Sequence, residues 1–341
     1  MTFELKHACG CRGIDMHTHI VPSDFPACLG AKIPRDWPSM APAHACHRHV
    51  MIDDKVYRTV ADLCWDTPKR IADMDTQRIA VQAISPMPEL LSYWMSAQDA
   101  LPLLQYLNGV IAGMVDASAG RMTGLGAVPL QQVDLAIREL EQLMKTPGFA
   151  GVEIGSNING VPIGAPQFDA FFEAAEALGA AVFVHALRPA GKERLVGPPQ
   201  LVQALGYPTD VGLAAASVIT ANLPVRRPKL RIAFSHGGGT LASLLPRLEQ
   251  AGKVFAPLRE TLHAAPSEQA RTLFYDALVF DDATLRHLIG LYGDTQLMLG
   301  TDYPFAFRES QPVATVEAMG LAESTVERLV YRNAQTFLGI V

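Results

Sequence analysis

The chain has 341 residues, of which 49% are hydrophobic and 18% are charged, and its formal net charge is −6. This length suits one (β/α)₈ barrel, and this composition supports a large buried core and excludes a disordered chain. Long basic runs are absent, so nucleic acid is not an expected partner. No apolar stretch reaches the roughly 18 residues that a membrane span needs. We expect a single domain over residues 1–341 that binds neither nucleic acid nor membrane.

The five cysteines stand at positions 9, 11, 28, 46 and 64, all within the first fifth of the chain. An odd number of cysteines without a framework spacing argues against a disulfide scaffold. The first 13 residues lack the apolar segment of a signal peptide. These observations predict a cytoplasmic location.

Eight short apolar runs follow one another along the chain. Strands that are buried on both faces, as in a parallel sheet, have this continuous apolar character. The predicted strands are Gly13–Met16, Ala80–Ile84, Met122–Val128, Ala150–Ile154, Ala180–Val184, Leu230–Phe234, Thr272–Tyr275 and Gln296–Leu299.

Amphipathic stretches separate these runs. Apolar residues recur at close to helical spacing in Gln132–Lys145, Phe168–Leu178 and Leu241–Glu249. Strand and helix patterns alternate about eight times, which predicts an α/β fold of the (β/α)₈ barrel type. A doubly wound open sheet is the alternative, but no Gly-rich dinucleotide motif follows the first strand.

Two segments have no regular pattern and are predicted as long loops. Pro22–Asp54 follows the first strand, as an insertion at about 22–56, and Leu187–Pro208 follows the fifth. Loops at the carboxyl ends of barrel strands usually build the active site.

Four side chains with metal-binding chemistry stand at the ends of predicted strands. His17 and His19 share one face of the first strand, because residues i and i+2 point the same way. His185 ends the fifth strand and Asp302 follows the eighth. The carboxyl ends of all barrel strands converge on one mouth, so these four residues are predicted to bind one divalent ion such as Zn²⁺.

His236 ends the sixth strand and opens the segment SHGGG. Its glycines allow the backbone and a substrate to approach closely. His236 is a candidate acid or base, since an imidazole titrates near neutral pH, and a fifth ligand or a core histidine are the alternatives.

The chain resembles the decarboxylase branch of the amidohydrolase superfamily, in particular the family of α-amino-β-carboxymuconate-ε-semialdehyde decarboxylases. The motifs that carry the resemblance, in chain order, are GIDMHTHIVP, WDTPKRIADMD, GAVPLQ, GVEIGSNING, FVH, FSHGGG and MLGTDYPF. They span nearly the whole chain. The resemblance implies a (β/α)₈ barrel and a metal-dependent, non-oxidative carboxy-lyase.

The resemblance also assigns roles. It implies that His17, His19, His185 and Asp302 bind the metal, with Zn²⁺ usual and Mn²⁺ found in some relatives, and that His236 is the catalytic histidine. Binuclear members of the superfamily often carry a bridging lysine on the fourth strand. That strand has no lysine here, which favours one metal, and its Glu153 is either a partner of a metal ligand or a structural group.

Two arginines match family positions. Arg58 corresponds to an arginine that binds a substrate carboxylate, and Arg247 to one that reaches the active site of the neighbouring subunit. The resemblance therefore implies a homodimer and a carboxylated small-molecule substrate, which a guanidinium binds bidentately.

The implied reaction is decarboxylation of a carboxylated aromatic or muconate-semialdehyde-type acid in aromatic catabolism, without an organic cofactor. The nearest alternative is a hydrolase or hydratase on the same barrel, which would share the metal site. A non-catalytic metal-binding or scaffold protein is a third possibility, which the long loops and the additional His236 disfavour.

The chain departs from the family around the pocket. His185 is followed by Ala-Leu-Arg-Pro instead of a tryptophan-containing turn, so Arg188 is a candidate second carboxylate clamp. The loop after the first strand carries His44, Cys46, His47 and His49, which we expect to face the pocket rather than to bind a second metal. Apolar residues expected near the mouth are Trp65, Trp94, Phe305 and Phe307. Phe305 matches a family residue near the substrate, and core packing is the alternative for the other three.

Overall fold

A computed structural model describes residues 10–28, 34 and 36–340. Its main element is a sheet of eight parallel strands, each paired with the strand next to it in sequence. The strands are β1 Gly13–Ile20, β2 Ile79–Pro86, β3 Met122–Gly126, β4 Phe149–Gly155, β5 Ala181–His185, β6 Arg231–Phe234, β7 Phe274–Asp276 and β8 Leu297–Met298.

Backbone hydrogen bonds between β1 and the segment after β8 close this sheet. The amide of Met16 donates to the carbonyl of Leu299 (2.9 Å), and the amide of Asp302 donates to the carbonyl of His17 (2.9 Å). A closed sheet of eight parallel strands is a (β/α)₈ barrel. The predicted fold class is confirmed, and each of the eight apolar runs coincides with a barrel strand.

Helices cover the outside of the barrel. Several begin at side-chain caps: the carboxylate of Asp66 accepts from the amide of Lys69 (3.0 Å), and that of Asp281 from the amide of Thr284 (2.7 Å). The helices are α1 Thr67–Thr76, α2 Ala97–Ala117, α3 Val133–Leu143, α4 Asp169–Leu178, α5 Tyr207–Thr220, α6 Leu223–Arg226, α7 Leu241–Val254, α8 Ala256–Thr261, α9 Pro266–Ala270, α10 Asp282–Tyr292, α11 Pro312–Ala318, α12 Glu323–Glu327 and α13 Asn333–Leu338. The described helices include none that is both long and apolar enough to span a bilayer.

The insertion after β1 is more regular than predicted. It contains an antiparallel three-stranded sheet of Ser39–Pro42, His47–Ile52 and Lys55–Ala61. The last two strands form a hairpin whose two turn residues, Asp53 and Asp54, have φ of 55° and 56°. This is the backbone of a type I′ turn, which Asn-Gly usually signals and Asp-Asp does not. The long insertion after the first strand is present, but the prediction that it is irregular was wrong for residues 39–54.

The loop after β5 holds only short helical turns. Lys192–Arg194 forms a 3₁₀ turn, and Val202–Gly206 forms a π-helical turn that leads directly into α5. This loop and the insertion lie at the carboxyl ends of their strands, where they flank the barrel mouth. Three cysteines, Cys28, Cys46 and Cys64, are free thiols, whereas Cys11 is disulfide-bonded.

Candidate active site

Three histidines and one aspartate converge at the carboxyl ends of the strands. The Nε2 atoms of His17 and His19 are 3.1 Å apart, and the Oδ1 atom of Asp302 lies 3.5 Å and 3.1 Å from them. Together with His185 they offer four ligand atoms that all lie within 4.8 Å of one another. Alternation along β1 points both of its histidines into the barrel, as the sequence predicts.

The hydrogen bonds of the three imidazoles leave their Nε2 atoms available for a cation. The Nδ1 atoms of His19 and His185 face the carbonyl oxygens of Pro86 (3.1 Å) and Ala186 (2.8 Å), so these nitrogens carry the proton. The Nε2 atom of His185 is buried and has no hydrogen-bond partner in the described part of the chain. The unpartnered nitrogen of His185, the Nε2 atoms of His17 and His19 and the carboxylate of Asp302 converge on one point, which fits a divalent metal ion.

Asp276 at the end of β7 completes this arrangement, although the sequence analysis missed it. Its Oδ2 atom lies 2.7 Å from Nδ1 of His17, and its Oδ1 atom accepts from the amide of Gly237 (2.8 Å). A carboxylate behind a ligating histidine fixes the ring and its tautomer. The available signal was an acidic residue at the carboxyl end of the seventh apolar run.

A second acidic group stands behind His19. Ser85 donates to Oε2 of Glu153 (2.5 Å), and the same carboxyl oxygen is 3.5 Å from Nδ1 of His19. Burial raises the pKa of Glu153 to about 8, so this carboxyl group is mostly protonated at neutral pH. Of the two roles considered for Glu153, the geometry favours a partner of a metal ligand.

The electrostatics of the cluster favour a cation. Burial lowers the pKa of His17, but the hydrogen bond to Asp276 and the charge of Asp302 outweigh this effect and raise the pKa to about 9. Burial opposes the ionisation of Asp276 and Asp302. Their hydrogen bonds to the imidazoles of His17 and His19 nevertheless keep the pKa of each carboxyl group below its usual value. The cluster thus holds a proton in the absence of an ion, and a divalent ion would displace that proton.

His236 lies beside the ligand cluster, with its ring centroid 5.3 Å from that of His17 and 5.2 Å from that of His185. Its Nδ1 atom is 3.0 Å from the hydroxyl oxygen of Ser235. Its backbone has φ of 54°, which directs the ring from the end of β6 into the mouth. Burial and the charge of His17 lower the pKa of His236 to about 4, so it is neutral at physiological pH.

A cavity of about 330 Å³ opens over the cluster. Its polar walls include His185, His236 and Asp302, and Arg58 from the insertion stands at its side. The guanidinium of Arg58 lies 4.2 Å from the ring centroid of Phe305, and that ring stacks on His19 at 5.5 Å. Arg58 therefore presents a fixed positive charge above the metal ligands.

Glu89 and Tyr207 also line this cavity and were missed by the sequence analysis. The Tyr207 hydroxyl donates to Oε1 of Glu89 (2.9 Å). Burial lowers the pKa of Arg58, but nearby negative charges raise it above its ordinary value, and the charge of Glu89 contributes most to this increase. The two residues are 118 positions apart, Glu89 in the turn after β2 and Tyr207 at the start of α5, so no local pattern connects them.

Other predicted residues lie away from the cluster. Arg247 is on the exposed face of α7, outside the cavity walls of its own chain. The rings of His44 and His47 are 4.1 Å apart at a separate surface cavity, so the expectation that they face the pocket was wrong. His44 lies in the exposed connection between the first two strands of the insertion, and His47 begins the second of them. Among the described residues, the histidines of this sheet do not join the metal-binding group.

The remaining aromatic residues named in the sequence analysis form two cation–π pairs and one stacked pair. The guanidinium of Arg188 lies 3.3 Å from the centroid of Trp94, and that of Arg48 lies 5.7 Å from Trp65. Phe307 stacks on Phe280 at 5.1 Å, and both rings line the cavity.

Comparison with known proteins agrees with this geometry. A 2-amino-3-carboxymuconate-6-semialdehyde decarboxylase of Dictyostelium discoideum is 36% identical over 331 residues, which cover 96% of this chain and 91% of that protein. The apo IDCase structure of Metarhizium anisopliae superposes with a TM-score of 0.82 at 21% identity, covering 98% of this chain and 99% of that one. A manganese-bound 5-carboxyvanillate decarboxylase of Novosphingobium aromaticivorans gives a TM-score of 0.77 at 18% identity and covers both chains completely, at 100% each.

The structural relatives confirm the barrel, and the named activities are those of decarboxylases, as the sequence predicts. A family model described as "Amidohydrolase" matches residues 14–340. The chain therefore belongs to the amidohydrolase family.

Proposed function

We propose that this protein is a metal-dependent, non-oxidative decarboxylase of a carboxylated aromatic or muconate-semialdehyde-type acid. The observation that carries the proposal is the cluster of His17, His19, His185 and Asp302 beneath a cavity that also contains Arg58 and His236. The curated relative at 36% identity is named for decarboxylation of such an acid.

The proposed ligands of one divalent ion per chain are the three histidines and Asp302. Zn²⁺ is the expected ion and Mn²⁺ the alternative, because a His₃Asp set accepts both and a related decarboxylase structure contains manganese. The bound ion supplies Lewis acidity, which polarises a substrate oxygen or makes a water more acidic. We propose that no organic cofactor takes part.

Arg58 is proposed to hold a substrate carboxylate. A guanidinium pairs bidentately with a carboxylate, and its stacking on Phe305 fixes the plane of the fork. Orientation of this kind lowers the barrier because the scissile bond is presented in one geometry.

His236 is proposed to move the proton. The lowered pKa keeps the ring neutral, and Nδ1 is engaged by the hydroxyl group of Ser235. Nε2 can therefore accept a proton from water or from the substrate. The bond to the departing carboxylate then breaks, CO₂ leaves with no net redox change, and the carbon that held it takes a proton. One proton is consumed for each CO₂ released.

A hydrolase or hydratase on the same barrel is not favoured. Two curated relatives that align over most of this chain, at 36% and 26% identity, are both named as decarboxylases. The decisive experiment measures metal content and CO₂ release together, across a panel of carboxylated aromatic and muconate-type acids. About one ion per chain with stoichiometric CO₂ supports the proposal. Substrate loss with incorporation of water and no CO₂ would refute it.

We also propose a cytoplasmic homodimer in which Arg247 reaches the partner's active site. Support for the shared site comes from the exposed position of Arg247 on α7, outside its own cavity. Cys28, Cys46 and Cys64 are free thiols, as in a reducing compartment, whereas Cys11 is disulfide-bonded. A mixed dimer of an Arg247→Ala chain and an Asp302→Ala chain should then recover part of the activity. No recovery in verified mixed dimers would exclude the shared site.

A further inference from the structure

Glu89 places a carboxylate in the wall of the substrate cavity. It belongs to a 3₁₀ turn, Pro88–Leu91, that directly follows β2 at the barrel mouth. Its side chain is only 8% exposed, in a wall that also includes Phe305 and Phe307. A carboxylate in such surroundings is costly unless charged or hydrogen-bonding groups face it.

The turn that carries Glu89 is held in a fixed position. The Asn159 side chain donates to the carbonyl of Tyr93 (2.7 Å), and the amide of Gly155 donates to the Tyr93 hydroxyl (3.3 Å). These bonds tie the residues just after the turn to the end of β4. The backbone that follows Glu89 is therefore anchored by hydrogen bonds to Gly155 and Asn159.

The protein groups around Glu89 keep it available as an acceptor. Tyr207 donates to one carboxylate oxygen. Burial and the adjacent charge of Glu89 raise the pKa of Tyr57, so this second phenol also stays a donor. An ionised carboxylate has about four acceptor positions, and two phenols fill at most two of them. Because Glu89 lines the cavity, a ligand there can use the remaining capacity.

The charge of Glu89 limits which ligand fits. Arg58 attracts a substrate carboxylate, whereas Glu89 repels a second one placed on its own side of the cavity. A neutral amino or hydroxyl group would instead donate to Glu89. A site built to hydrogen-bond such a group discriminates strongly against an analogue that lacks it.

We infer that Glu89 is a specificity-determining residue that accepts a hydrogen bond from an amino or hydroxyl group close to the substrate carboxylate. The inference rests on the proposed function in that it concerns the same cavity and the same carboxylated substrate. It adds which residue of this chain contacts a donor that stands next to the carboxylate.

The test compares two ligands that differ only in that donor, 2-aminobenzoate and benzoate. Their dissociation constants are measured by calorimetry with zinc-loaded protein, without turnover. The wild-type protein should bind 2-aminobenzoate about tenfold more tightly, which corresponds to about 1.4 kcal/mol. Glu89→Leu should bring the two constants within about twofold of each other, and Glu89→Gln should give an intermediate ratio.

Ser243→Ala is the matched control, because Ser243 lines the same cavity and is absent from the contacts of Glu89. It should keep the wild-type ratio. Equal wild-type affinities, or a preference that survives in Glu89→Leu, would overturn the inference, since any preference due to the metal survives in that variant. If Glu89→Leu does not fold, an unchanged ratio in Glu89→Gln overturns it.

This experiment is separate from the test of decarboxylation. An absence of CO₂ release would refute the proposed function, but the ratio of the dissociation constants of benzoate and 2-aminobenzoate could still be measured. A lost preference for the donor would remove the inference about Glu89 and leave decarboxylation intact.

Discussion

The Nδ1 atom of His17 lies 2.7 Å from Oδ2 of Asp276, and both side chains are fully buried. The contact joins the first and seventh strands across the barrel. It sets the tautomer of His17, so that Nε2 faces the other proposed ligands. Asp276 is in turn held by the amides of Gly237 and Leu278 at 2.8 Å and 3.1 Å.

Replacing Asp276 by Asn should weaken metal binding by about 10- to 100-fold, because the partner that orients His17 loses its charge. A competition titration against a chelator measures this affinity. Asp281→Asn is the control, since Asp281 caps α10 just beyond β7 and leaves the ligands untouched. Unchanged affinity in Asp276→Asn would show that the contact does not tune the metal site.

Replacing Asp302 by Ala should abolish both metal binding and activity. The variant removes the single carboxylate from the proposed ligands and leaves three imidazoles that repel one another once protonated. Elemental analysis of the purified variant, together with the CO₂ assay, checks both effects. A full complement of metal would argue that Asp302 is not a ligand.

Replacing His236 by Ala should abolish turnover and leave metal content at about one ion per chain. Its ring lies beside the ligands and its removal leaves all four proposed ligand atoms in place. We expect a fall in kcat of at least about 100-fold, as for loss of a general acid–base group. Full activity would contradict the proton-transfer role, and loss of metal would indicate a fifth ligand instead.

The fold could be predicted from local patterns, because each barrel strand is buried on both faces and reads as an apolar run. The sequence also allowed the prediction that four side chains lie close together, because a barrel brings its strand ends together whatever their separation in sequence. These side chains are His17, His19, His185 and Asp302.

Features that depend on tertiary pairing could not be predicted. The pairing of Asp276 with His17 spans 259 positions and that of Glu89 with Tyr207 spans 118, so no local pattern connects the partners. The position of Asp276 at the end of the seventh apolar run was a signal for the residue but not for its partner. The hairpin of the insertion was missed because its Asp53-Asp54 turn lacks the usual glycine, and the prediction for His44 and His47 failed with it.

Arg70 provides a prediction about stability. This fully buried guanidinium on α1 donates to the carbonyl of His19 (2.8 Å), the hydroxyl of Thr18 (2.8 Å) and the amide oxygen of Gln82 (2.7 Å). Replacing Arg70 by Met leaves these buried acceptors without their donor, and each unsatisfied acceptor lowers the free energy of unfolding by about 1–3 kcal/mol. Chemical denaturation should show a loss of at least about 3 kcal/mol.

Arg308→Met is the matched control for Arg70→Met. Both guanidinium groups contact the ring of Tyr303, at 4.7 Å and 4.9 Å, but Arg308 is partly exposed and its ion pair with Asp73 is long at 4.0 Å. It should therefore lose less than about 1 kcal/mol. Equal losses in the two variants would mean that stacking on Tyr303, and not the buried hydrogen bonds, accounts for the effect of Arg70.

Glu317 should make stability depend on pH. It forms ion pairs with Arg78 (2.5 Å) and Arg12 (2.6 Å). These contacts lower the pKa of Glu317 from the ordinary value of 4.5, and the hydrogen bond to Arg78 has the largest effect. A carboxylate with a lowered pKa in the folded state stabilises the fold above its unfolded pKa, and this contribution disappears as pH falls through the folded value. The melting temperature of wild-type protein should therefore exceed that of Glu317→Gln at pH 7, and the difference should shrink below about pH 4.5. A difference that persists undiminished at the lowest pH where the fold survives would show that packing, rather than charge, links Glu317 to the two arginines.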